Sequence, residues 1–66
     1  MISNNLKVER AKVSITQKDL AKEIGVSRQT IHSIESGKFT PSVELALKLA
    51  AFFEISVEEL FTLKKG

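Results

Sequence analysis

The chain has 66 residues, a formal net charge of +2 and no cysteine. That length leaves room for a single domain, residues 1–66, with a modest core, and the lack of thiols excludes disulfides and thiolate metal sites. No apolar run approaches the roughly 20 residues of a membrane span, and Met1-Ile2-Ser3-Asn4-Asn5 lacks the basic and apolar regions of an export signal, so a cytoplasmic protein with no membrane partner is expected.

Apolar periodicity predicts five helices and an all-α fold. The first, about Asn5 to Val13, carries Leu6 and Val13 on one stripe, with Arg10 between them. The second, Gln17 to Ile24, has Leu20, Ala21 and Ile24 at helical spacing, and Gly25 stands where a left-handed residue can end it. The third, Arg28 to Ser36, hides Ile31 and Ile34 and is ended by Gly37. Lys38-Phe39-Thr40-Pro41 is a turn, because Pro41 cannot continue a helix from behind. Ser42 caps a fourth helix that carries Leu45, Leu49, Phe52 and Phe53 to about Phe53, and a short fifth helix runs from Val57 to about Phe61. Thr16, Ser27 and Ser56 are N-cap candidates, and each follows an apolar residue able to staple onto another inside the helix: Ile15 with Leu20, Val26 with Ile31, Ile55 with Leu60. Glu59 adds a capping box to the last of these. Phe61-Thr62-Leu63 alternates apolar and polar side chains and can pair as a tiny strand with Met1-Ile2-Ser3, provided the body of the fold supports it.

Charge is unevenly spread. Residues 1–40 hold seven bases (Lys7, Arg10, Lys12, Lys18, Lys22, Arg28, Lys38) against four acids, whereas residues 41–66 hold three bases against four acids. The first forty residues are therefore the end that attracts phosphates. The third helix leaves Arg28, Gln29, His32, Ser33 and Ser36 for solvent. At about 100° per residue, Gln29 and Ser33 point away from Ile31 and Ile34, with Arg28 on the flank at the helix start. Arginine can bond guanine bidentately and glutamine can do the same for adenine, so this helix pair suits the major groove of double-stranded DNA.

Catalysis is not expected. His32 has no cysteine or second histidine to work with, no Ser-His-acid set or glycine-rich phosphate loop is identifiable, and Glu58 and Glu59 diverge by about 100° on a helix. Those two acids favour the start of the fifth helix electrostatically. Neither a metal nor any other cofactor is called for.

The pattern Gln17-x-x-Leu20-Ala21-x-x-x-Gly25-Val26-Ser27-x-x-Thr30-Ile31-x-x-Ile34-Glu35-x-Gly37 resembles the helix-turn-helix of phage Cro and cI repressors and the bacterial regulators grouped with them, the XRE family. Pro41-Ser42-x-x-Leu45-Ala46-x-x-Leu49-Ala50 and Ser56-Val57-Glu58-Glu59-Leu60-Phe61 are similar to the closing helices of the same domain, so the resemblance runs from about Leu6 to Phe61. It implies a compact five-helix, lambda-repressor-like DNA-binding domain. It also implies a sequence-specific transcriptional regulator, a repressor in the simplest case, that binds a near-palindromic operator as a homodimer. Two third helices would then enter successive major grooves about 34 Å apart. With no residues left for an attached ligand domain, control is expected from concentration, a partner protein or altered dimerisation.

Expected base contacts are Arg28, Gln29 and Ser33, and expected phosphate contacts are Thr16, Gln17, Ser27, Thr30, Lys38 and Thr40. Thr16 and Gln17 open a helix whose free amides and dipole favour an anion, and Lys38 offers a mobile point charge. In the family the start of the second helix abuts the DNA backbone, and Gln17 matches that position. The resemblance also brings Arg10 and Glu35 together as a structural ion pair. Ile55, Val57, Leu60, Phe61 and Leu63 exceed what one short helix can hide and suggest a dimer surface, unless they close the core over Phe52 and Phe53. A different class of function on the same fold is a protein-binding module, such as an antitoxin that neutralises a partner protein.

Overall fold

The computed structural model describes residues 2–63, in the order β1 (Ile2–Asn4), α1 (Leu6–Val13), α2 (Gln17–Ile24), α3 (Arg28–Glu35), α4 (Val43–Phe53), α5 (Val57–Leu60) and β2 (Phe61–Leu63). Four of the five helices start on a hydroxyl. Thr16, Ser27, Ser42 and Ser56 each accept the backbone N–H three residues on, from Asp19, Thr30, Leu45 and Glu59 respectively. Each bond satisfies one donor that the first turn leaves unpaired. At α5 the box closes, since the Ser56 N–H donates to Glu59 Oε1 at 3.0 Å. Hydrogen bonding to the carboxylate, from the Ser56 backbone N–H first and from its hydroxyl second, holds the Glu59 carboxyl below its ordinary pKa. At α1 the capping oxygen comes from one residue earlier than the cap position: Leu6 N–H donates to Asn4 Oδ1 at 3.1 Å.

Helix ends differ in kind. Gly25 closes α2 in the left-handed region at φ 90° with its amide bonded to Ala21 O, which only glycine does without strain. Ser14 after α1 and Glu54 after α4 take the same region at φ 55° and 57°, at a cost of roughly 1–2 kcal/mol each.

Every helix contributes to one core: Leu6 from α1, Leu20 and Ala21 from α2, Ile31 and Ile34 from α3, Leu49 and Ala50 from α4, and Leu60 from α5. Ile15, Val26 and Ile55, the residues just before three of the caps, pack against that core. Phe52 and Phe53 meet edge to face with centroids 5.0 Å apart and cover one side. Val13 differs from expectation and is 57% exposed. The chain turns away at Ser14, and Ile15, whose N–H bonds to Arg10 O, supplies the apolar contact instead.

The strands pair antiparallel in the register Ile2↔Leu63, Ser3↔Thr62 and Asn4↔Phe61. The ribbon thus extends to Asn4, and Met1 lies outside the described residues. Phe61 leaves the helical region at φ −123° to enter β2, which shortens the fifth helix to Leu60. Asn5 N–H donates to Leu60 O at 2.9 Å and fastens the ribbon to the body.

One expectation for the C-terminal part needs correction. Leu60 is fully buried inside the monomer, so it belongs to the core and to no surface. Ile55, Val57 and Phe61 are half-buried against that core, and only Leu63, at 71%, is largely exposed. Further apolar surface lies on α4, where Val43 and Leu47 are exposed one turn apart. A shallow apolar groove of about 150 Å³ runs between Ile2, Pro41, Val43, Ala46, Val57 and Phe61. No helix among the described residues is long and apolar enough to cross a membrane.

Candidate nucleic-acid interface

Positioning of α3 starts with its hidden side. Ile31 and Ile34 are buried, and α3 packs against both α2 and α1. Its C-terminal end is held by a polar cluster. Arg10 Nε donates to Glu35 Oε2 at 2.6 Å and Nη2 to Glu35 Oε1 at 3.2 Å, while Nη1 donates to Ile15 O at 2.9 Å. One guanidinium thus ties α1, the turn before α2, and α3 together with the fork geometry that suits arginine. Gln17 Nε2 adds a third donor to Glu35 Oε1, at 3.0 Å. Burial pushes the Glu35 carboxyl up, but the hydrogen bonds from Arg10 and Gln17 and the arginine charge outweigh it, and its pKa falls below the ordinary 4.5. A second tie comes from β1, where Asn4 Nδ2 donates to Ile34 O at 2.9 Å. Asparagine at this position reveals nothing by itself in the sequence, because its partner lies thirty residues away.

The outward edge is different. Arg28 and Gln29 are exposed, and Arg28 takes part in none of the ion pairs among the described residues. Gln29 Nε2 reaches Ser33 Oγ at 3.4 Å, the i to i+4 spacing that aligns side chains along a helix face. Ser33 is half-buried rather than fully outward. The cause is the loop that follows: Lys38 and Phe39 both donate their N–H groups to Ser33 O, at 2.9 and 3.2 Å, and this folds the loop onto the last turn of α3. Phe39 therefore stands beside Gln29, Thr30 and Ser33, a neighbourhood that its place in the Lys38–Pro41 turn does not reveal.

Around this edge, Ser27 Oγ and Thr30 Oγ1 are 2.9 Å apart, and Ser27 Oγ also caps the helix. Thr16 Oγ1 is engaged in its own cap at Asp19. Lys38 and Thr40 are exposed just beyond α3. Gln17 spends its side-chain amide on Glu35 and comes within 3.4 Å of His32 Nδ1. What it can still offer an anion is its backbone N–H in the first turn of α2. His32 is exposed, and no group of three or more His, Cys, Asp or Glu side chains among the described residues is arranged to hold a metal ion.

A helix fixed from behind by apolar contacts and a partly buried ion pair, with arginine and glutamine on its free edge, has the arrangement of the second helix of a helix-turn-helix protein. The helix-turn-helix family model matches residues 6–60. An uncharacterized HTH-type transcriptional regulator of Methanocaldococcus jannaschii is 53% identical over 60 residues, covering 91% of this chain and 91% of the relative. The cryptic phage CTXphi transcriptional repressor RstR of Vibrio cholerae is 37% identical over 59 residues, covering 89% of this chain and 53% of RstR. Among solved structures, a Bacteroides fragilis protein proposed to bind DNA superposes with a TM-score of 0.84 at 31% identity, over 94% of this chain and all of that one. The chain belongs to the Cro/cI-type (XRE) helix-turn-helix family. It is a transcriptional regulator with a DNA-binding fold and is not an enzyme.

Proposed function

We propose that the protein is a sequence-specific cytoplasmic repressor that binds a near-palindromic operator as a homodimer, with α3 of each copy in the major groove. The observation that carries this reading is the free edge of α3, where Arg28 and Gln29 are exposed on a helix whose other side is locked. Arg28, Gln29 and, more shallowly, Ser33 read base edges. The backbone N–H of Gln17, the hydroxyls of Thr16, Ser27, Thr30 and Thr40, and the Lys38 ammonium meet phosphates. Repression then needs no further machinery, because a dimer seated on a promoter excludes other proteins from it, and RstR is a named repressor with a similar chain.

The dimer surface we favour is the apolar groove, which Val43 lines, together with the exposed side chains of Leu47, one turn on from Val43, and Leu63, paired with Ile2 of the groove. Val57 and Phe61 contribute their exposed parts. Leu63→Glu should weaken self-association in sedimentation while helicity persists, whereas Leu60→Glu should unfold the chain. The test of the whole reading is selection from randomised duplex DNA, followed by gel shift at several salt concentrations. A recovered inverted repeat, bound more weakly as salt rises, supports it. Tight binding to the product of an adjacent gene with no DNA affinity supports instead the antitoxin-like module.

A further inference from the structure

Phe52, Phe53 and Phe61 pack against the core, whereas Phe39 keeps 47% of its surface exposed. Its place is fixed: the Phe39 N–H bond to Ser33 O, beside that of Lys38, pins the loop to the last turn of α3. With Gln29, Thr30 and Ser33 it encloses an open notch of about 190 Å³. Two walls of this notch, Gln29 and Ser33, lie on the edge that faces DNA in the proposed complex. An aromatic ring there forms no hydrogen bond with a base or a phosphate. The major groove contains one apolar group, the 5-methyl of thymine.

We propose that Phe39 is a specificity-determining residue whose ring, with the Thr30 methyl, receives a thymine 5-methyl group next to the base that Gln29 contacts. The inference rests on the major-groove reading of α3. It adds a contact supplied by the loop, so the protein reads by hydrogen bonding from the helix and by apolar contact from the residues after it. Cytosine, which presents an amino donor and no methyl, gains nothing from the notch.

The experiment uses the selected operator, with each thymine replaced singly by deoxyuridine, which keeps base pairing and removes only the methyl. For the parent chain, one thymine per half-site should lose about fourfold in affinity on replacement, the worth of one buried carbon. For Phe39→Ala the thymine and uridine operators should bind equally, with helicity retained. Phe39→Gln, which keeps the side chain's reach without its apolarity, should behave alike and serves if the alanine chain loses helicity. Equal binding of thymine and uridine by the parent at every position overturns the proposal, as does a penalty that persists in both variants. A Phe39→Ala chain that loses self-association overturns it in favour of an interface role. If selection yields no preferred sequence at all, the failure lies earlier, in the major-groove reading itself.

Discussion

The inner and outer edges of α3 are built on opposite lines. On the inner edge Ile31 and Ile34 are buried, and the Glu35 side chain, 7% exposed, is bound by three donors from Arg10 and Gln17. On the outer edge Arg28 and Gln29 face solvent, and the hydrogen bond recorded there, from Gln29 to Ser33, is long at 3.4 Å. One edge fixes where the helix stands and the other is left for a ligand. Stability and readout should therefore respond to different substitutions.

The inner edge should give the largest effect. Arg10→Met leaves a partly buried carboxylate without its charged partner and removes the bond to Ile15 O, and should cost up to about 3–5 kcal/mol in denaturant unfolding. Adding Glu35→Gln should then cost far less than it does in the parent, and equal costs in the two backgrounds would refute the coupling. The pH dependence has a definite sign. The folded pKa of Glu35 lies below its ordinary 4.5, so its contribution is present above about that pH and is lost as pH falls through the lower folded value. Glu35→Gln should flatten this part of the acid limb of a stability–pH curve.

On the outer edge, Arg28→Ala or Gln29→Ala should cost roughly 1–3 kcal/mol in operator affinity and relax preference at one position per half-site. The melting temperature should barely move. A melting temperature that falls in step with affinity would mean the two edges are not separable. Between them lies Ser27, which caps α3. Ser27→Ala should lower stability by about 1 kcal/mol, measured by thermal unfolding, and weaken DNA binding both through that loss and through the phosphate contact proposed for its hydroxyl. Lys38→Ala should have the smallest effect, weakening all sequences alike and making the salt slope shallower by about 0.9 for each lysine removed.

Much of this was legible in the sequence because it is local. A hydroxyl before Gln17, Arg28, Val43 or Val57 meets an amide three residues on whatever the rest of the chain does, so the caps follow from short patterns. Periodicity likewise marks Leu20, Ile31, Ile34 and Leu49 as inward. What stayed hidden depends on distant partners or on where an element stops. Val13 shares a stripe with Leu6, but the left-handed Ser14 ends the helix before Val13 meets anything. Leu60 reads as surplus on a four-residue helix until the other helices close over it. Phe39 and Asn4 acquire their neighbours only when a loop folds back on α3 and when β1 reaches its end. Of the outward edge of α3, the exposed helical residues were readable from spacing and the loop residue beside them was not.

The terminal ribbon has a consequence in time. Ile2↔Leu63 pairing and the Asn4–Ile34 bond join segments far apart along the chain, so their closure entropy must be met before they return anything. The α2–α3 hairpin needs no such wait, with both helices capped and adjacent in sequence. The ribbon should therefore close after the folding barrier, as a latch over a body already formed. Asn4→Ala should speed unfolding and leave the folding rate almost unchanged in stopped-flow measurements. A matching fall in the folding rate would put the latch inside the nucleus. If the latch closes late, the polar tie from β1 to the end of α3 governs how long the folded state lasts and has little part in how fast it is reached.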